Sequence, residues 1–286
     1  MYRLLLFSPF LLALASADYS WKIMFFHGEV KTLSKEPIQD ISWEQCYSIC
    51  YYTHSCVLAY HSSSGCQFHD FGSVQARRVN SSSRKLIAIK RYIEDGKCPS
   101  NASNPLLSSS GSVSDVWNNE GLVYNNTIVS NGSYLTITYS ILQCRNDTKL
   151  FQRGSVYVCL GLSPFTGNLC NTHAKAVELC SRDGWLTITG PVGKEELNYF
   201  LSLVPQYNLK GRTSLIWVDG SRGTFLDDST GGSSKYPVCK DYSHYDCSYM
   251  NHHSCFYVSN YWCDRSNTPS DCFRGATCRM EMIKIL

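Results

Sequence analysis

Cys247, His252, His253 and Cys255 fall within a nine-residue stretch and are the residue types that hold zinc through thiolate sulfur and imidazole nitrogen. Asp227, Asp228, Asp241 and Asp246 add carboxylates that suit a harder cation. Tyr236, Tyr242, Tyr245, Tyr249, Phe256, Tyr257, Tyr261 and Trp262 surround them with aromatic rings, which stack on the apolar faces of sugars or anchor protein interfaces. Each group has a plainer reading. Cysteines in an oxidising compartment pair with one another, isolated acids in Gly/Ser loops are solvated, and most of the rings fill a core. No Gly-x-Ser-x-Gly elbow, His-Glu-x-x-His helix or phosphate-cradling Gly-Lys-Ser/Thr loop is present, and the eight histidines are dispersed. The chain is therefore expected to be no enzyme, with no metal at these residues and no cofactor.

The compartment follows from the first residues. Arg3 precedes an apolar run from Leu4 to Leu14 that ends in Ala15-Ser16-Ala17, the pattern of a cleaved signal peptide over residues 1–17. The run is too short to span a bilayer, and no later stretch is long enough. A secreted, extracellular protein without a membrane span is expected. Removing Arg3 takes the formal charge from +3 to +2 and leaves no dense basic block, which argues against nucleic acid as a partner. Fifteen cysteines then read as a disulfide framework with one thiol left over. Asn-x-Ser/Thr acceptors at Asn80, Asn101, Asn125, Asn131 and Asn146 are candidate glycosylation sites on exposed loops.

The elements that must position these residues fall into two groups. Before the Ser/Asn/Gly-rich stretch that starts at Pro99, strands are expected at 23–26, 56–60 and 86–90, with a helix from Ser42 to Tyr52. Ser42-Trp43-Glu44-Gln45 fits a capping box at the start of that helix. Cys46 and Cys50 lie one turn apart on it, so both thiols point at one surface, where Cys56 and Cys66 are placed to receive them. Beyond the linker, Thr127–Val129 and Tyr134–Thr138 flank an Asn131-Gly132 turn, the signal of a hairpin. Asn171-Thr172 opens a helix carrying Ala174, Val177 and Cys180 and stopped by Gly184. Glu195-Glu196 opens another carrying Leu197, Phe200, Leu201 and Val204 and ended by Pro205. Short strands follow at 215–218, 255–258 and 277–285.

The spacing Cys46-x3-Cys50-x5-Cys56-x9-Cys66, with Trp43 and the Val57-Leu58-Ala59-Tyr60 strand, resembles the PAN/apple family, and within it the PAN-like CW module of secreted nematode proteins. The resemblance implies pairing of Cys46 with Cys66 and of Cys50 with Cys56. The outer disulfide of that family lacks a cysteine between Asp18 and Gln45, so Cys98 is the first candidate for the odd thiol.

Residues 144–286 resemble the C-type lectin-like fold. Leu215-Ile216-Trp217-Val218-Asp219-Gly220 looks like its central strand, with Trp217 as the core aromatic. That resemblance implies disulfides Cys180–Cys278 and Cys255–Cys272, with Cys144–Cys159 closing an N-terminal hairpin. The calcium-binding Glu-Pro-Asn and Trp-Asn-Asp motifs are not intact. The chain reads Asn251-His252-His253 ahead of Cys255 and Tyr261-Trp262-Cys263-Asp264 after it, so calcium is not expected, and Asn251, His252, Trp262 and Asp264 remain as ligand-binding candidates.

The expectation is thus an α+β chain: a signal peptide at 1–17, a PAN-like domain at 18–98, a linker at 99–122 and a C-type lectin-like domain with an N-terminal hairpin at 123–286. The resemblances imply a recognition protein of innate immunity that binds a glycan or microbial surface without calcium, or else an extracellular protein as a structural module.

Overall fold

The structure, a computed structural model, describes residues 19–31, 36–94, 108–166, 170–182, 184–204, 213–220, 226–231, 238–241, 247–250, 256–258 and 271–286. They form two compact units. One gathers the described chain up to Trp117, then Tyr124–Ile141 and Leu286; the other gathers Asn118–Val123 and Leu142–Ile285.

The first unit is built on β1 (Tyr19–Val30), α1 (Trp43–Tyr52), β2 (Cys56–Ser62), β3 (Gly65–Asp70), β4 (Gly72–Arg78) and β5 (Leu86–Glu94). β6 (Ser110–Asn119), β7 (Leu122–Asn131) and β8 (Tyr134–Gln143) continue the same sheet, whose order is β3-β2-β5-β1-β4-β8-β7-β6. β1 pairs along Tyr19–His27 with β5 and then along Gly28–Val30 with β4, and so joins the two halves. Alternation along β1 and β5 puts Ile23 and Ala88 on the face that receives α1, with Ile87 and Ile89 buried on the other. Ser42 caps α1 as the sequence indicates: its hydroxyl accepts the Gln45 amide, and the Gln45 side chain accepts the Ser42 N–H. The buried Cys46 and Cys50 then staple the helix to Cys66 on β3 and Cys56 on β2. Gly65 turns the β2–β3 hairpin at a φ of 110° with the Ile38 carbonyl against it, a place where a side chain has neither the backbone conformation nor the room.

The second unit contains β9 (Lys149–Arg153), β10 (Val156–Pro164), α2 (His173–Leu179), β11 (Trp185–Ile188), α3 (Lys194–Leu203) and β12 (Thr213–Val218). β13 (Val238–Asp241), β14 (Ser248–Met250), β15 (Phe256–Val258) and β16 (Asp271–Met280) follow. The sheet runs β13-β15-β14-β12-β16-β10-β9, with β11 also on β16. β12 and β16 are parallel neighbours, and Trp217 on one stacks on Phe273 of the other with centroids 3.7 Å apart. Trp217 is fully buried, and its Nε1 donates to the Asn171 carbonyl at 2.8 Å. The Thr172 hydroxyl caps α2 by accepting the Lys175 amide, and Ala176 is the residue of that helix that is buried.

Three expectations need correction. The chain is mostly β-sheet, so the α+β class, with a C-type lectin-like fold as its second part, does not hold: three short α-helices accompany long strands among the described residues. The stretch 99–122, read as a linker, contains β6, and the hairpin read as part of the second domain belongs to the first unit. The reason is visible in β6, where Val113, Asp115 and Trp117 alternate inward between the exposed Ser112, Ser114, Val116 and Asn118, a strand pattern hidden by its polar composition. Finally, Cys272 is bonded to Cys170 and not to Cys255, because Asn171 donates its N–H to the Phe273 carbonyl and brings the two cysteines to a Cα separation of 5.2 Å. Cys144–Cys159 and Cys180–Cys278 are bonded to each other.

Candidate functional site

The ligand-binding candidates Asn251, His252, Trp262 and Asp264 lie outside the described residues, as do Cys255, Cys98 and Asn101. Of the zinc-type residues near them, Cys247 is described; it is buried and in a disulfide, which withdraws its sulfur from metal binding. Tyr249 turns inward, edge-on to Phe273 at 5.5 Å, and packs with the core around Trp217. Asp227, read as a solvated loop acid, is 1% exposed. Its Oδ2 accepts Arg153 Nη1 at 2.8 Å and its Oδ1 accepts Arg279 Nη1 at 2.7 Å, while Asp228 beside it is exposed.

Arg153 organises that region. Its guanidinium donates Nε and Nη2 to the two oxygens of Glu196, Nη2 also to the Gly190 carbonyl, and Nη1 to Asp227, Thr189 and Ser229. Asp219 stands behind Asp227 and accepts its backbone N–H at 2.7 Å; burial lifts the Asp219 carboxyl above its ordinary value, against the pull of that N–H and of those of Leu226 and Gly220. Every carboxylate here is taken by arginine or by backbone amides, so the cluster is a structural pin. A cleft of about 340 Å³ opens beside it between β9 and the start of α3, lined by Leu150, Phe151, Val192 and Glu195 among others. Sequence reading missed this network because its members are 31 to 74 positions apart in pairs such as Asp227–Glu196 and Arg153–Asp227.

Exposed aromatic chemistry instead appears on the first unit. Phe25 on β1 is 53% exposed although it shares its strand face with Ile23, which packs with the α1 cluster. Trp43 and Tyr47, one helical turn apart on α1, are half-buried and meet it edge-to-face at 5.6 and 4.9 Å, with 5.4 Å between their own rings. His61 on β2 lies 6.1 Å from Trp43, and its Nε2 is 3.2 Å from the Ile41 carbonyl. Glu44, exposed beside Trp43, has its carboxyl held below the ordinary value by its own backbone N–H, by Ser42 and by the nearby His61. The result is a ring cluster with a carboxylate and an imidazole at its rim. Further along α1, Ile49 and Tyr52 are 45% and 84% exposed. The signal for this cluster was in the sequence, as Trp43 and Tyr47 at helical spacing and Phe25 in an expected strand, but nothing local brings the strand to the helix.

The sequons are placed as follows. Asn80 and Asn131 end or flank strands of the first unit and are exposed, and Asn146 is exposed in the second. Asn125 is half-buried within β7, and its Oδ1 accepts the hydroxyls of Ser114 and Thr127.

Residues 23–91, within the first unit, match the family model described as a PAN-like domain. No curated protein and no solved structure matches the chain. No helix of the described residues is long and apolar enough to cross a membrane.

Proposed function

We propose that this chain is a secreted recognition protein whose PAN-like unit binds carbohydrate through the face formed by Phe25, Trp43 and Tyr47. The observation that carries the reading is the exposure of Phe25 against two further rings with the Glu44 carboxylate and His61 beside them. Aromatic faces cover the apolar side of a pyranose while a carboxylate and an imidazole take its hydroxyls, and no cation is needed for either contact. The reading assigns the chain no catalytic step and no cofactor. Microbial surface glycans are the substrate class it favours.

A second reading, binding to an extracellular protein, is favoured by Ile49 and Tyr52, whose exposure continues the apolar character of α1 away from the polar rim. The two separate in one experiment: the purified secreted protein and its Phe25→Ala and Tyr52→Ala variants are applied to glycan and bacterial-surface panels with calcium and with chelator. Sugar-competed binding that survives chelation and is lost in Phe25→Ala supports the carbohydrate reading. Absence of glycan binding in both conditions transfers the weight to the protein-binding reading.

A further inference from the structure

Among the described residues β6 ends the sheet of the first unit, with β7 as its neighbour on the paired side. It is ten residues long and exposed along most of its length. A long exposed edge strand is a template for pairing with another chain, and proteins usually block it with lysine, proline, a bulge or a short length. β6 contains no lysine and no proline, and its one charge, Asp115, is turned inward and neutralised by Arg91 through bonds of 2.7 Å to both carboxylate oxygens. Val116 on β6 is 45% exposed, which adds an apolar contact to the open edge.

The feature that compensates stands at the start of this strand. Gly132 donates its N–H to the Ser109 carbonyl at 2.7 Å, and the Ser130 hydroxyl donates to the Ser108 carbonyl at 3.0 Å, so Asn131 lies beside Ser110, the first residue of β6. Asn131 is exposed and belongs to the sequon Asn131-Gly132-Ser133. Arg78 holds this corner from the other side: its Nη1 donates to the Gly132 carbonyl and the Ser130 hydroxyl, and its backbone N–H donates to the Ser133 carbonyl at 2.8 Å.

We propose that Asn131 carries an N-linked glycan that blocks strand addition to the open edge of β6. The inference rests on the secretion reading, since the modification is made on entry to the secretory pathway. There the anomeric carbon of a lipid-diphosphate-linked oligosaccharide is transferred to Nδ2 of Asn131. The carbon–oxygen bond to the diphosphate breaks, the carbon–nitrogen bond forms, the amide gives up one proton, and the lipid diphosphate leaves with the bonding electrons. With neighbouring strands about 4.8 Å apart, a glycan rooted on β7 overhangs the edge of β6 by its first sugar residues.

The test is expression in a eukaryotic secretory host, with peptide mass spectrometry after glycosidase release in heavy-oxygen water and light-scattering mass measurement of the folded protein. Wild type and Ser133→Thr are expected to be modified at Asn131 and monomeric. Ser133→Ala, and wild type deglycosylated after folding, are expected to self-associate to at least twice the monomer mass, and adding Val116→Lys to either is expected to restore the monomer. Secreted wild type with a bare Asn131, or bare protein that stays monomeric at the same concentration, overturns the inference alone. Retention of wild type inside the cell overturns the secretion reading and this inference with it.

Discussion

Arg153 grips Glu196 with two parallel hydrogen bonds, Nε to Oε1 at 2.9 Å and Nη2 to Oε2 at 2.8 Å, and both side chains are almost wholly buried. A planar fork on a carboxylate is the geometry in which burial of two charges is best offset.

Removing one partner leaves the others charged and dry. Arg153→Ala is therefore expected to destabilise the second unit by about 3–5 kcal/mol, because the buried Glu196 loses its counterion and Asp227 loses one of its two. Lys149→Ala, which breaks an exposed pair with Glu195 at 3.4 Å, is expected to cost less than about 1 kcal/mol. Urea midpoints of the two variants check the contrast; equal losses would mean that the buried pair is not a pin.

The bridges differ in the length of chain they close. Cys180–Cys278 spans 98 positions and Cys50–Cys56 spans 6. Loop-closure entropy gives about 4–5 kcal/mol for the first and about 2 kcal/mol for the second. Cys180→Ser is expected to reduce secretion severely and Cys50→Ser more mildly, as read by protein in the medium.

His173 carries a pH prediction. Its ring is mostly buried, edge-on to Trp217 at 5.4 Å; it bonds the Val218 backbone, and its Nε2 has no hydrogen-bond partner among the described residues. Burial lowers its pKa below the ordinary 6.5. The unfolded chain then binds the proton at a higher pH than the folded one, so stability is full above the ordinary value and is lost as pH falls from there through the folded pKa. Thermal unfolding from pH 7.5 to 5 is expected to show a falling midpoint, and His173→Gln should flatten that dependence.

Phe25→Ala is expected to leave the unfolding midpoint within about 0.5 kcal/mol of wild type, since more than half of the side chain is already in water. Binding to a sugar that competes on the panels is expected to weaken about tenfold or more, the loss of an aromatic anchor. Calorimetric titration reads the two effects separately.

What the sequence revealed was local. The Ser42–Gln45 capping box, the shared helical face of Cys46 and Cys50, and the turn at Gly132 each depend on residues a few positions apart, and each stands in the structure. What it hid was set by distant partners. The Ser/Asn-rich composition of β6 made it look like linker, and the partner that lets its inward Asp115 face the protein, Arg91, is 24 positions away. Asp227 read as solvated because its partners Arg153 and Arg279 are 74 and 52 positions away. Phe25 could not be told from its half-buried strand neighbours, since exposure depends on what packs over the strand and not on residue type.

Two covalent ties hold the α2 segment to a single strand: Cys170 to Cys272 and Cys180 to Cys278, both on β16. A protease that makes one cut from 181 to 271 would therefore release nothing. The severed halves remain one molecule on a non-reducing gel and part into two bands once thiol is added, so a clip between the two bridges leaves this protein whole until it is reduced.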